Sequence, residues 1–409
     1  MFHSFEDNRG SITSYKDIPF EVKEILDSRS YPNVLRGMHK SPYPKRIFVR
    51  KGKIYDFFYN AETGEKTEIV LSQGEYVDIP ANFAHGFYTY EYSEILYLLG
   101  GKFDPTKDQN IYWKDPTFPL ERNFPQVNLV ISLKDSNANY YEKYDYYVLG
   151  AKGFLGSYTV KALRSLGYKV FESNERLQNL AQIREEITKS QAKHVICAAG
   201  ISGKPTIDWC EDHEEETYKT NYVGVQELMG LTKHLGVHCV IYGSAQVFQG
   251  TKEVYTEQDP ADLTRKVYAK WRTELEKILP FYENVLYLRI LYPVSLDGHP
   301  KCFLQKMLGR AKSVHPVAVN LTILPSLIPR LAELCQKGTT GILNFVNPGQ
   351  ITLPRLLELW SEFREPLEVS VNREGEIRGN YRLSTERLES LLKEPLETAE
   401  DSIRRVLKS

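Results

Sequence analysis

Residues 146–158 read YYVLGAKGFLGSY, a short apolar run leading into Gly150-x-x-Gly153-x-x-Gly156 and then a stretch of helical character. Glycines at these spacings let a chain turn tightly and let a pyrophosphate approach the backbone. They also aim the N–H groups of the following helix at that pyrophosphate. Phe154 and Leu155 would open this helix, beside the phosphates. An ordinary strand-to-helix turn reads the same way, so the motif needs company. HVICAAG (194–200) supplies some: it is a buried-strand pattern ending in Ala198, Ala199 and Gly200, small residues against which a cofactor could lie. NYVG adds Asn221 at a helix start. Glu172, ending the second strand pattern, could bond a ribose hydroxyl and favour NAD, whereas Arg176 in NERL suits a 2′-phosphate. The reading favours NADP and leaves NAD open.

Metal ligation finds less to work with. A cage of the usual kind needs a His-x-His pair with a downstream Glu and His, and LRGMHKS supplies His39 alone, so no bound metal is expected. The five cysteines, Cys197, Cys210, Cys239, Cys302 and Cys335, include no C-x-x-C pair and are odd in number. They read as reduced, mostly buried thiols of a cytosolic protein.

The elements that must hold these residues follow two grammars. Before about residue 137 the patterns are short strands. KRIFVRKGKIYDFFYN (45–60) alternates around a Lys51-Gly52-Lys53 turn, and KTEIVLSQGEYVDIP and HGFYTYEYSEILYLL add further β-rich runs. Closely spaced strands without convincing helices predict an antiparallel jelly roll or barrel. From Tyr146 onward strand and helix patterns alternate, as in a doubly wound parallel sheet. SNANYYEKYD, polar and rich in tyrosine, could link the halves. A chain of 409 residues can bury two or three cores. No apolar run approaches the length of a membrane span. MFHSFEDNRG lacks the basic-then-apolar pattern of a secretion signal, and cytoplasmic location is expected. A net charge of −1 gives no electrostatic case for a nucleic-acid or membrane partner.

GAKGFLG, AAGISGKPTIDWCEDH, TNYVGVQEL and RILYPVS together resemble the extended short-chain dehydrogenase/reductases. The likeness is strongest to the reductase half of plant epimerase/4-reductases acting on UDP-4-keto-6-deoxyglucose. The resemblance implies a Rossmann fold over 145–409, with a small C-terminal substrate lobe. The family's active site is a hydroxyl residue followed by Tyr-x-x-x-Lys. Ser244 in YGSAQVF and Tyr268 in VYAKWR occupy the first two positions. The tyrosine would protonate the carbonyl oxygen as hydride arrives, while the cation lowers its pKa and holds the ribose. The lysine position carries Arg272, and Lys270 falls on a different side of the helix. Either Arg272 substitutes for the lysine, or this half binds cofactor without reducing.

DNRG, LRGMH, KGKIYDFFYN, IPANFAHGF, EILY and NIYWKDP occur in that order and resemble the dTDP-4-dehydrorhamnose 3,5-epimerases, a metal-free branch of the cupin jelly rolls. The resemblance covers 1–138. A 4-keto sugar has acidic protons at carbons 3 and 5; inverting either carbon needs a base, an acid on the opposite face and a cation for the enolate. By motif position His39 would be the base, Asp135 its orienting partner, Lys45 the cation and Tyr97 the acid. Arg9 and Arg36 would hold the nucleotide diphosphate, supported by Asp56 and His85. Ser41 stands where the family has a glutamine, which leaves open whether carbon 3, carbon 5 or both invert.

Both halves thus point to one substrate, a nucleotide-linked 4-keto-6-deoxyhexose. The N-terminal half would epimerise it and the C-terminal half would reduce its ketone with NADPH, giving UDP- or dTDP-L-rhamnose, with UDP slightly favoured. The alternatives are an epimerase with a non-reducing regulatory half, or a single-carbon epimerase-reductase making another deoxyhexose. The resemblance also implies a homodimer through the cupin half.

Overall fold

The computed structural model describes residues 2–8, 10–203, 207–295, 299–308, 313–314, 316–364, 370–371 and 382–408. They fall into two compact units, Met1–Glu142 and Lys143–Ser409.

In the first unit β1 (Phe2–Asp7) and β2 (Gly10–Tyr15) pair as a hairpin. The next strands are β3 (Glu24–Ser30), β4 (Val34–Lys40), β5 (Lys45–Lys51), β6 (Lys53–Tyr59), β7 (Lys66–Ser72), β8 (Tyr76–Ile79), β9 (Ala84–Thr89) and β10 (Ser93–Leu99). β11 (Gln109–Ile111), β12 (Val130–Ile131) and the one-turn helix α1 (Leu133–Ser136) complete the unit. The strands form two sheets, ordered β3-β10-β5-β8 and β11-β4-β9-β6-β7, with β12 added in parallel to β4. The remaining pairs are antiparallel, and the expected jelly-roll class is met.

The alternation around Gly52 suggests a hairpin of β5 with β6, yet each joins a different sheet. Burial explains this: five consecutive residues of each strand, Lys45–Val49 and Ile54–Phe58, are buried on both faces, as for inner strands. Gly52, at φ +88°, turns the chain from one sheet to the other. Ile47 and Val49 of one sheet pack with Ile54, Phe58 and Phe87 of the other in a shared core. SNANYYEKYD is only partly a linker, since Ala138 and Tyr140 are buried within the first unit.

The second unit begins with β13 (Tyr146–Leu149), α2 (Phe154–Ser165), β14 (Val170–Ser173), α3 (Leu180–Ser190) and β15 (His194–Cys197). Two short helices, α4 (Trp209–Asp212) and α5 (Glu214–Tyr218), precede a π-turn, Lys219–Val223, that runs into α6 (Gly224–Leu235). Then come β16 (His238–Tyr242), α7 (Val267–Ile278) and the strands Val285–Arg289 and Gly341–Asn344. The sheet is wholly parallel, with order β14-β13-β15-β16 and then those last two strands. All four residues of β13 are buried, as a strand covered on both faces requires. Sequence order reverses between β13 and β15, and ligands of such sheets bind outside the strands' carboxyl ends at that reversal.

The C-terminal lobe pairs Pro293–Val294 with Thr322–Ile323 and Ala318–Val319 with Ile351–Thr352. Its helices Leu324–Gln336, Leu353–Phe363 and Ala399–Lys408 share one hydrophobic core with the sheet.

Candidate active sites

The first unit encloses a cavity of about 620 Å³ lined by His39, Lys45, Tyr97, Asp135, Arg36 and His85, among others. Strand register assembles them. His39 on β4 lies opposite His85 on β9, while Lys45 on β5 and Tyr97 on β10 come from the other sheet. His39 Nε2 is 2.9 Å from Oδ1 of Asp135, a residue 96 positions further along the chain. Ser132 caps α1 by accepting the Asp135 N–H, which fixes the aspartate backbone. Asp135 Oδ2 accepts the Gly37 N–H at 3.2 Å. The glycine of LRGMH has a steric cause as well: a Cβ on Gly37 would lie 2.8 Å from Asp135 Cβ and Cγ. Burial works to raise the Asp135 pKa, but bonding by His39 and the Gly37 N–H outweighs it, and the carboxyl stays below its ordinary range. An ionised carboxylate on one ring nitrogen stabilises the imidazolium that forms when the other takes a proton.

Burial pulls the Lys45 ammonium down, against Asp108 and Asp56, and its Nζ donates to Ser41 Oγ at 3.2 Å. The serine that departs from the family pattern therefore anchors the lysine. Burial raises the Tyr97 phenol above its ordinary value, with Arg36 opposing, so it remains a proton donor at neutral pH. His39 on one sheet and Tyr97 on the other face a common cavity, the arrangement that inversion at carbon asks of a base and an acid. Arg36 Nε donates to Ser30 Oγ at 3.0 Å, which fixes the guanidinium at the cavity.

One expected substrate-site residue needs revision, and another is not described. Asp56 is fully buried and does not line the cavity; it holds His85 Nε2 at 2.8 Å from behind. Arg9 lies outside the described residues. Sequence reasoning missed Tyr43 and Asp108, both cavity residues, Asp108 contributing charge to Lys45 and Tyr43. The only available signal was proximity to the Lys45 and NIYWKDP segments.

The second unit holds a cavity of about 1010 Å³ at the reversal of strand order. Gly150, Gly153, Phe154 and Leu155 line it with Arg176, Ala198, Ala199 and Gly200, and so do Ser244, Tyr268 and Arg272. Gly156 and Asn221, expected to touch cofactor, shape the site from behind. A Cβ on Gly156 would meet the Gly150 carbonyl oxygen at 2.1 Å, so the glycine lets α2 close on the loop. Asn221 pins the loop after β15 twice, accepting the Ile201 N–H at 2.9 Å and donating to the Ile201 carbonyl at 2.8 Å. Glu172 pairs with Arg164 at 2.5 Å and does not line the cavity, whereas Arg176 does.

Ser244 Oγ accepts the Gln246 N–H at 3.1 Å. Lys270 points elsewhere, as its helical position predicts, and reaches Glu214 at 2.8 Å. Arg272 is buried against Gly200, its Cζ 5.8 Å from the Tyr268 ring centroid. Burial opposes its charge, but Tyr268, Tyr287 and Cys197 outweigh that and hold it protonated. One turn along α7, Glu276 makes a buried two-point ion pair with Arg289, at 3.0 and 2.6 Å, tying the helix to the strand Val285–Arg289. Gln246, Tyr292, Lys301 and Lys306 also line this cavity and were not foreseen.

Known proteins match both halves. Residues 2–143 match the family described as dTDP-4-dehydrorhamnose 3,5-epimerase, and residues 145–337 match the RmlD substrate binding domain. A bifunctional dTDP-4-dehydrorhamnose 3,5-epimerase/reductase of Arabidopsis thaliana is 30% identical over 240 residues, covering 57% of this chain and 79% of that protein. The chain belongs to the epimerase/reductase family. Trifunctional Arabidopsis relatives that also carry a dehydratase match too, and the chain spans less than half of their length. Among solved structures, the UDP-rhamnose synthase of Acanthamoeba polyphaga mimivirus matches at TM-score 0.60 and 24% identity, covering 65% of this chain and 99% of that one. A Bacillus anthracis dTDP-4-dehydrorhamnose reductase crystallised with NADP matches at TM-score 0.55 and 18% identity, covering 65% and 99%. These two likenesses are of fold. As an epimerase/reductase, the chain is both an isomerase and an oxidoreductase.

Proposed function

We propose that the first unit inverts carbons 3 and 5 of a UDP-linked 4-keto-6-deoxyglucose, and that the second reduces the resulting 4-ketone with NADPH to give UDP-L-rhamnose. His39, backed by Asp135, removes the proton beside the carbonyl; Lys45 steadies the enolate oxygen; Tyr97 returns a proton from the opposite face. The observation that carries this reading is the 2.9 Å His39–Asp135 bond in the cavity that also holds Lys45 and Tyr97.

In the second unit Tyr268 protonates the ketone oxygen, Ser244 orients it, and Arg272 supplies the positive charge that favours the phenolate. A nicotinamide dinucleotide would supply the hydride. Its pyrophosphate suits the Gly150–Gly156 turn and the start of α2. Arg176 at the cavity, with Glu172 turned away to Arg164, supports the 2′-phosphate of NADP. Deuterium incorporation and product identity, measured with UDP-4-keto-6-deoxyglucose and NADPH in heavy water, test both halves. A reduced product without ring deuterium would sink the epimerase assignment.

The reading extends to a cytoplasmic homodimer joined through the first unit. All five cysteines are free and buried, which suits a reducing compartment. Ile25 on the edge strand β3 and Phe103 are 60% and 49% exposed, apolar surface that a second copy could cover. Monomeric mass in light scattering would overturn the dimer. Among the described residues, no helix is long and apolar enough to cross a membrane.

A further inference from the structure

At the amino-terminal end of the parallel strands, opposite the end that carries the glycine loop, three ligand-type side chains meet. His194 opens β15, His238 opens β16, and Cys335 lies in the last turn of the helix Leu324–Gln336. β15 and β16 run in parallel with His194 beside His238. One ligand atom from each of the three residues lies within 4.8 Å of the other two. The two Nδ1 atoms are 3.2 Å apart. Two nitrogens bound to one tetrahedral ion at ordinary zinc–nitrogen lengths would be separated by about 3.3 Å.

The surroundings favour a ligand over a plain hydrogen bond. His238 Nε2 donates to the Thr339 carbonyl at 2.8 Å, which leaves its Nδ1 with a lone pair directed toward the cluster. A ring held by a backbone carbonyl at one nitrogen and presenting the other is the usual outer support of a metal-binding histidine. Among the described residues, the buried hydroxyls of Tyr146, which packs on His194, and of Thr339, whose carbonyl holds His238, have no hydrogen-bond partner. Tyr146 is 1% exposed and stacks on the His194 ring at 5.1 Å. Its phenol also lies near enough to Cys335 to be affected by charge there. Both histidines are only partly buried, so an ion has a path in.

We infer that His194, His238 and Cys335 form a binding site for a tetrahedral, thiolate-tolerant divalent cation of the zinc type. The fourth position is left to a water. Binding involves no change of oxidation state: the metal–sulfur bond replaces the Cys335 S–H bond, and the proton passes to solvent. The ion fastens two strands to one helix through positions 194, 238 and 335, which lie far apart in sequence. None of the three lines the cavity of Tyr268, so the site is structural rather than catalytic.

The test uses the full chain, stripped with a chelator and titrated with Co²⁺. One equivalent should bind with a thiolate-to-cobalt charge-transfer band, and Zn²⁺ should abolish that band by displacement. Cys335→Ser should lose the band, and His238→Gln should bind about tenfold to a hundredfold more weakly. Both variants should retain NADPH binding if folded. Absence of the band in the stripped wild-type chain overturns the proposal without recourse to any variant. So does an unchanged band in folded Cys335→Ser, which would place the ion on another thiol.

Discussion

The two cavities reach their chemistry by opposite routes. In the first unit the cavity side chains sit on strands of two sheets, and three of them are tied to a partner: His39 to Asp135, His85 to Asp56, Lys45 to Ser41. In the second, the residues sit on a glycine turn, on the segment after β16 and on one helix, all at the carboxyl ends of parallel strands. Carbanion chemistry needs a base and an acid on opposite faces of one carbon, which two facing sheets provide. Hydride transfer needs a long cofactor laid against backbone, which a switch in strand order provides. The difference teaches that the first site is specified pair by pair, whereas the second is specified mostly by topology.

The sharpest way to break this comparison is to remove one base. His39→Ala should lower solvent deuterium exchange into the sugar ring by about 10²- to 10⁴-fold. Reduction of a supplied, already epimerised 4-keto sugar should be unchanged. Tyr268→Phe should do the converse, losing about 10²- to 10⁴-fold in NADPH oxidation while exchange continues. If either variant silences both reactions, the two sites are not separate.

Asp135→Asn should act through His39 alone. The loss of a charge-assisted bond, about 1.5–3 kcal/mol, corresponds to roughly tenfold to 150-fold slower exchange. The acid limb of its pH–rate profile should also shift, whereas a merely structural role would leave that limb in place.

The smallest effect concerns stability. Burial lowers the His85 pKa, with Asp56 opposing. The unfolded chain therefore binds a proton that the folded chain resists between the ordinary value, about 6.5, and the lowered one. Stability from this group is complete above about pH 6.5 and declines as pH falls below it. Denaturant titrations across that window should show the decline, and His85→Gln should flatten it. An identical slope in the variant would assign the decline to other groups.

Legibility followed the same division. Gly150, Gly153 and the parallel alternation were readable because close packing of cofactor, turn and helix restricts residue type at fixed local spacing. His39 and Tyr97 were readable only as members of six ordered motifs, and Lys45 only by its position between them; a lone histidine on a strand carries no signal of its own. Asp56 was grouped with the substrate-binding residues as a support, and its strand position buries it behind His85, out of the cavity. Asp108 and Tyr43 were missed because nothing local distinguishes a loop carboxylate or phenol that faces a cavity from one that faces water. The Lys51-Gly52-Lys53 turn was readable as a turn, but alternation encodes burial without naming the partner strand.

The sequence by itself determined the two fold classes, the dinucleotide turn, and the substitution of Arg272 for the family's lysine. These depend on periodicity, glycine placement and residue identity, all of them local. Tertiary structure alone decided that Asp135, expected beside His39 by motif, gets there past the bare backbone of Gly37, and that Asn221 braces its loop instead of touching the cavity. It alone gathered His194, His238 and Cys335 at the amino end of the parallel sheet. The physical reason is common to all three: a contact across roughly twenty to a hundred or more residues is fixed by strand register and chain packing, and no spacing in the chain records it.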